Sequence, residues 1–221
     1  MPSGPAFAVA LTLAMVEWLA VARRWRRLEF VFKPATLVAV IIAAWLLTRG
    51  PHDEWMARFF LPGLTLSLAG DVFLLLPGGR FFMLGLASFL LAHLCYIVGL
   101  NPTLPPWPAL ALLLPIVAIR LPLVRGILSA LRRQSWRALV IPVALYGLVL
   151  SAMLFSAWAT LFRPEWTPLR RGIVVLGASL FFTSDVMLAW NRFVKPLRPG
   201  RVGVMIFYHL GQMALAASIA L

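Results

Sequence analysis

Two aspartates, Asp71 and Asp185, stand inside long apolar stretches and in similar sequence surroundings. The segments GLTLSLAGDVFL and GASLFFTSDVML each carry a glycine, then the aspartate followed by valine, at a constant offset of 114 residues. A histidine follows in each half, His93 and His209, at an offset of 116. Ionisable groups inside a bilayer cost a few kcal/mol, so each one needs a partner or a function. Two carboxyl groups with histidine nearby are suited to general acid and base chemistry.

The depth of the polar residues in their apolar stretches predicts one shared pocket. At a rise of about 1.5 Å per residue, both aspartates lie roughly 8 Å from the ends of their spans. The other polar residues at similar depth are Glu17, Lys33, Tyr146, Tyr208 and His209, with His93 somewhat deeper. A single aspartate in a membrane helix is often structural, but two at matching heights favour a common site. For Glu17, which precedes an arginine-rich turn, pairing with arginine is the structural alternative.

Several other chemistries lack their sequence signals. A zinc hydrolase needs three or more histidine, cysteine or carboxylate ligands, but His52 is predicted in a loop on the other side, which leaves His93 and His209. The chain has no Gly-x-Ser-x-Gly elbow, glycine-rich phosphate loop or dinucleotide-binding fingerprint. We therefore expect no cofactor and no metal, with a histidine-based metal site as the open alternative.

The elements that position these residues follow from composition. Of the 221 residues, 62% are apolar and 12% are charged, against about 45 to 50% and about 25% in soluble domains. At about 20 residues per crossing, the length accommodates seven or eight spanning helices. We predict an all-α polytopic membrane protein in which residues 1–221 form a single integral membrane domain. The predicted spans are 6–22, 34–49, 56–76, 81–100, 108–124, 138–162, 169–190 and 202–220.

The distribution of basic residues predicts the orientation. Of the 20 lysines and arginines, 15 are assigned to the turns after odd-numbered spans and 5 to the other side. The positive-inside rule then makes the first side cytoplasmic and places both termini outside. Short basic loops at lipid headgroups also account for the net charge of +13 without nucleic acid. Because the offset between the two aspartates covers four spans, any internal repeat would be two parallel four-helix units. Arginine far outnumbers lysine, which is typical of GC-rich bacteria and favours a bacterial inner membrane.

Longer segments of the chain resemble a known family. These are SLAGDVFLLLPGGRFFMLGLASFLLAHLCYIVGL, GASLFFTSDVMLAWNRF, the Lys33-Pro34 pair and the terminal YHLGQ. Together they resemble the YhhN family of eight-helix membrane proteins, whose characterised members are lysoplasmalogenases. The resemblance implies hydrolysis of the vinyl ether bond of lysoplasmalogen, with release of a fatty aldehyde and glycerophosphoethanolamine or glycerophosphocholine.

The resemblance also implies roles for individual residues. Asp71 and Asp185 would be the catalytic pair, and the substrate-binding residues predicted from the resemblance and from depth are Lys33, His93, Tyr96, Tyr146, Asn191, Tyr208, His209 and Gln212. A histidine beside Tyr208 is not part of the family pattern. The expected partners are a lysophospholipid drawn from the bilayer and membrane lipids. A proton-coupled transporter, a lipid-binding protein without catalysis and a hydrolase of another lysophospholipid are the competing functions.

Overall fold

The computed structural model describes residues 3–133, 136–198 and 200–221. Within these ranges the chain is all-helical, and eight helical stretches are each long and apolar enough to cross a membrane. The helices are α1 (Ser3–Ala22), α2 (Arg26–Leu47), α3 (Glu54–Leu75), α4 (Gly79–Leu100), α5 (Leu113–Arg133), α6 (Val140–Ala159), α7 (Pro168–Phe193) and α8 (Gly200–Ala217). Short 3-10 helices adjoin α5, α6 and α8. The protein is thus an integral membrane protein of the predicted fold class.

Two predicted spans end or begin well away from the observed helix ends. The second begins at Arg26 rather than at residue 34, so Lys33 and Pro34 lie inside α2 and not at its edge. The fifth runs to Arg133 rather than ending at residue 124, because Pro122 is accommodated inside α5. Arg120 lies in the interior of α5, although the predicted charge count had assigned it to the basic turns.

The helices pack mainly as neighbours in sequence, α1 with α2, α3 with α4 and α7 with α8, while α4 also contacts α6. In the stretch that contains α8, 67% of the residues of the most apolar segment are buried, so this helix lies inside the bundle. In the stretch that contains α5 the share is 11%, so that helix lies at the edge. Close helix approach depends on glycine. A Cβ on Gly211 would lie 2.9 Å from the backbone nitrogen of Phe181, and a Cβ on Gly70 would lie 2.6 Å from the Phe89 ring.

The bundle has two different ends. We call the end with the turns at residues 23–25, 76–78 and 194–198 the basic end, and the end with the turns at 48–53, 101–106 and 163–167 the opposite end. At the opposite end, Arg170 on α7 lies 2.5 Å from Asp53, whose other oxygen caps α3 by accepting from the Met56 amide. The buried Arg163 donates to the Thr103 hydroxyl at 2.7 Å and to its carbonyl at 2.8 Å. These contacts tie the start of α7 to α3 and to the turn after α4.

Candidate functional site

A polar cavity of about 220 Å³ lies between α2, α3, α4, α7 and α8 toward the basic end. Both aspartates line it, although they come from helices that are more than a hundred residues apart in sequence. The polar residues of the lining are Glu29, Lys33, Asp71, Ser184, Asp185, Asn191, Arg192, Arg201 and Tyr208. Of the predicted site residues, the structure brings Lys33, Asn191 and Tyr208 into one cavity with the two aspartates.

Asp71 lines this cavity and forms an ion pair with Lys33. The Lys33 ammonium lies 3.1 Å from Oδ1 of Asp71, and the Tyr208 hydroxyl donates to Oδ2 at 2.7 Å. Lys33 and Asp71 are 5% and 1% exposed. Each of these buried charges depends on the other, because removal of one would leave the other as an unpaired charge in an apolar interior. The contact gives Lys33 a buried partner inside the bundle.

Among the described residues, Asp185 has no lysine or arginine paired with it as Lys33 is paired with Asp71. Its Oδ2 accepts a short hydrogen bond from the Tyr146 hydroxyl and lies 3.6 Å from Nε2 of His93. The neighbouring Ser184 hydroxyl donates to the Val204 carbonyl at 3.0 Å. The close packing of α7 against α8 brings this backbone carbonyl within reach, so the serine hydroxyl is donated to it and not to a carboxylate.

The orientation of the His93 ring determines which of its nitrogens faces Asp185. Nδ1 of His93 lies 2.5 Å from the Phe89 carbonyl oxygen. Because a carbonyl oxygen only accepts, Nδ1 carries a hydrogen, and Nε2 of the neutral ring presents a lone pair. Nε2 faces Oδ2 of Asp185. The 3.6 Å separation is longer than a hydrogen bond, and Nε2 has no hydrogen-bond partner among the described residues. Because a lone pair and an ionised carboxylate repel each other, this contact favours one proton held by His93 or by Asp185.

Charged groups surround the mouth of the cavity. Glu29 and Arg201 form a short ion pair across α2 and α8, and Arg192 stands on the last turn of α7. None of these three residues was predicted. The signal for Glu29 is its position four residues before Lys33, which places both on one face of α2. Asn191 has a structural contact as well, because its Oδ1 accepts from the Leu197 amide at 2.7 Å.

A second pocket, almost entirely apolar, adjoins the polar cavity and is bounded by α4, α5, α6 and α7. Asp185 and Arg192 belong to both linings, together with Leu74, Phe82 and Phe89. Arg120 also lines this pocket, and its buried Nε atom has no hydrogen-bond partner within the described ranges. Arg120 was not among the predicted site residues, because it had been assigned to the basic turns.

Five of the predicted binding residues do not line the polar cavity. His93 and Tyr146 contact Asp185 without lining the cavity, and Tyr96, Gln212 and His209 have partners elsewhere. Tyr96 donates to Oε1 of Gln212 at 2.8 Å, and this pair is fully buried between α4 and α8. His209 contacts α1 instead, where the indole N–H of Trp18 donates to its Nδ1 at 3.1 Å. The same nitrogen lies 3.7 Å from Glu17. Nδ1 thus acts as an acceptor and forms no hydrogen bond with Glu17, and His209 lines neither of the two cavities.

Glu17 is not paired with an arginine among the described residues, unlike the structural alternative considered from the sequence. It is fully buried against His209, and neither of its carboxyl oxygens has a hydrogen-bond partner among the described residues. Across residues 3–133, 136–198 and 200–221, no three His, Cys, Asp or Glu side chains are grouped as metal ligands.

Comparison with known proteins identifies the family. A family model, the YhhN family, matches residues 28–219. The chain is 30% identical over 213 residues to lysoplasmalogenase TMEM86B of Mus musculus, which covers 96% of this chain and 84% of the relative. It is 34% identical over 184 residues to the Homo sapiens protein of that name, covering 82% and 72%, and 31% identical over 172 residues to a lysoplasmalogenase of Mycobacterium bovis, covering 76% and 60%. No solved structure matches the chain. The chain belongs to the YhhN family.

Proposed function

We propose that this protein is a lysoplasmalogenase-like membrane hydrolase that cleaves the vinyl ether bond of a single-chain lipid by acid and base catalysis. Relatives that align with most of the chain carry the name lysoplasmalogenase. The observation that carries the mechanism is the difference between the two carboxyl groups of one cavity. Asp71 is paired with the ammonium of Lys33, whereas Asp185 is contacted by a tyrosine hydroxyl and by His93.

This difference assigns the two roles. The salt bridge to Lys33 favours Asp71 as the ionised carboxylate, and the single proton shared by His93 and Asp185 makes Asp185 the acid. Pairs of titratable groups in contrasting surroundings commonly divide acid and base functions in this way. Tyr146 donates to one carboxyl oxygen of Asp185 and Tyr208 to one carboxyl oxygen of Asp71, which holds both carboxyl groups in place at the cavity.

The reaction follows from the chemistry of an enol ether. Asp185 gives its proton to the alkene carbon that does not bear oxygen, and the adjacent carbon and the ether oxygen form an oxocarbenium ion. The Asp71 carboxylate stabilises this cation. Water adds to the cationic carbon and gives one proton to Asp71, which produces a hemiacetal. No serine or cysteine nucleophile is needed.

The hemiacetal then collapses. The bond between its carbon and the glycerol oxygen breaks, the hydroxyl proton of the hemiacetal ends on that glycerol oxygen, and the carbon becomes the carbonyl of a fatty aldehyde. Transfer of the proton from Asp71 to Asp185 restores the starting state. The sum is one vinyl ether and one water converted into one aldehyde and one alcohol.

The mouth of the cavity supplies contacts for a phosphate headgroup. Arg192 and Arg201 stand there, and Lys33 lies deeper on the opposite wall. Guanidinium groups bind phosphate oxygens in a bidentate geometry. We infer from the positive-inside rule that this mouth faces the cytoplasm of a bacterium and that the protein resides in the inner membrane.

The test of the proposed reaction compares three lipids with the same chain, an alkenyl, an acyl and a saturated alkyl lysophospholipid, and is run in D2O. We expect aldehyde from the alkenyl lipid alone, with one deuterium on the carbon next to the carbonyl group. Fatty acid from the acyl lipid would instead indicate an ester hydrolase. Aldehyde without that deuterium would contradict protonation of the alkene carbon.

A further inference from the structure

The apolar pocket beside the polar cavity has no role in the mechanism so far. Its wall is formed by aliphatic and aromatic side chains of four helices, including Leu86 on α4, Leu123 on α5, Leu150 on α6 and Val186 on α7. Such a wall offers dispersion contacts and excludes water, and it fits a hydrocarbon ligand. Its charged members are Asp185 and Arg192, which also line the polar cavity, and Arg120, which lies toward the middle of α5.

The two spaces share one wall. Leu74, Phe82, Phe89 and Leu188 line both of them, as do Asp185 and Arg192. One side of this shared wall is polar and bounded by α2 and α8, and the other side is apolar and bounded by α5 and α6. Asp185 is therefore the reactive group that contacts both a polar and an apolar compartment, whereas Asp71 lines the polar compartment.

We propose that the apolar pocket is the binding site for the aliphatic chain of the substrate, which enters it from the bilayer beside α5. This inference rests on the proposed function. A lysolipid has one polar part and one chain, joined at the bond that is cleaved. With the phosphate at the mouth of the polar cavity and the chain in the apolar pocket, the vinyl ether lies at Asp185, where the two compartments meet.

The packing of α5 supports a lateral entrance. This helix contacts α6 and α7, while the apolar pocket lies between α5 and α4. The outward side of α5 is apolar and highly exposed, with Leu114 78% and Val117 49% exposed. In a bilayer these side chains contact lipid tails. A chain that moves from the lipid beside α5 into the pocket therefore remains in apolar surroundings throughout.

Gly147 on α6 provides a direct test. It lines the pocket, and a Cβ at this position would meet its nearest neighbour, a methyl group of Val124, at 3.9 Å. A leucine at position 147 can therefore be accommodated by the backbone while its side chain occupies pocket space. Gly172 on α7 is the matched control, because it is exposed and a Cβ there meets nothing within 4 Å.

The experiment measures aldehyde release from alkenyl lysolipids of short and long chain. We expect Gly147→Leu to lower the kcat/KM ratio of long over short chains by about tenfold, a change of the size that one or two methylenes produce in an apolar pocket. Gly172→Leu should leave the ratio unchanged. An unchanged ratio in folded Gly147→Leu would overturn the proposal.

A second readout does not depend on hydrolysis. A saturated alkyl lysophospholipid with a photoreactive diazirine in its chain is crosslinked to the wild-type protein in detergent. Labelling of peptides that carry Leu123 and Leu150 supports the chain site even if no vinyl ether is cleaved, in which case the proposed reaction alone is refuted. Labelling confined to the outward residues Leu114 and Val117 would overturn the chain site.

Discussion

Nε2 of His93 lies 3.6 Å from Oδ2 of Asp185, and it faces the carboxyl group because Nδ1 is held by the Phe89 carbonyl. The two side chains come from α4 and α7. We propose that this pair holds one proton, which makes it the acid of the reaction. Asp71 has a different partner, the Lys33 ammonium at 3.1 Å.

Substitution of His93 tests the shared proton. His93→Gln keeps a polar side chain of similar length but cannot hold a proton, so we expect kcat to fall by about tenfold or more with little change in KM. The pH profile of kcat should also lose the limb that belongs to the pair. A variant with normal kcat and an unchanged pH profile would show that His93 only fills space.

Removal of Lys33 tests the buried ion pair. Lys33→Met leaves Asp71 without its cation, and loss of one member of a buried pair costs about 3 to 5 kcal/mol. We expect a marked decrease in melting temperature together with loss of activity. The double variant Lys33→Met, Asp71→Asn removes both charges and should regain most of the thermal stability while remaining inactive. If the single variant is as stable as wild type, the pair contributes nothing to folding.

Glu17 is expected to be dispensable for catalysis. It lies against His209, whose Nδ1 already accepts from Trp18, and it does not line either pocket. Glu17→Gln removes a buried acid group that lacks a hydrogen-bond partner, so we expect aldehyde release within about twofold of wild type and a melting temperature that is not lowered. A large loss of activity in a folded variant would bring Glu17 into the mechanism.

Asp53 at the opposite end is expected to affect stability alone. Its carboxylate caps α3 and contacts Arg170, which also stacks over the Trp166 ring at 3.8 Å. Loss of a helix cap costs about 1 kcal/mol, and the unpaired Arg170 adds to this. Asp53→Ala should therefore lower the melting temperature in detergent without changing the kcat of the folded protein. Glu54→Ala, one residue along and exposed, is the control and should have little effect.

Much of the site is legible in the sequence because carboxyl groups and lysine are rare in membrane helices. Asp71, Asp185 and Lys33 stand out against an apolar background, and their depth is obtained by counting residues from the helix ends. The direction that each side chain faces is not obtained in this way, since helices with lipid on one side lack a clear polar face. His209 has the same depth as the site and yet faces α1.

Helix ends near proline were the other source of error. The second span was predicted to begin at Pro34 and the fifth to end two residues after Pro122, but these prolines lie inside α2 and α5. In a membrane, neighbouring helices and side chains can satisfy the backbone groups that proline leaves unpaired, so helices continue through it. The apolar pocket had no sequence signal, because its lining consists of leucine, valine and phenylalanine that any packed helix carries. The parallel repeat and the outside location of the termini remain predictions.

The most direct test of the Asp pair is aldehyde release from lysoplasmalogen by purified wild-type protein, Asp71→Asn and Asp185→Asn, each checked for folding by its melting temperature in detergent. Because Asp71→Asn leaves Lys33 unpaired, Lys33→Met, Asp71→Asn is measured beside it. We expect aldehyde from the wild type and a loss of at least about a hundredfold in every variant. Wild-type rates in a folded Asp71→Asn or Asp185→Asn protein would contradict the account.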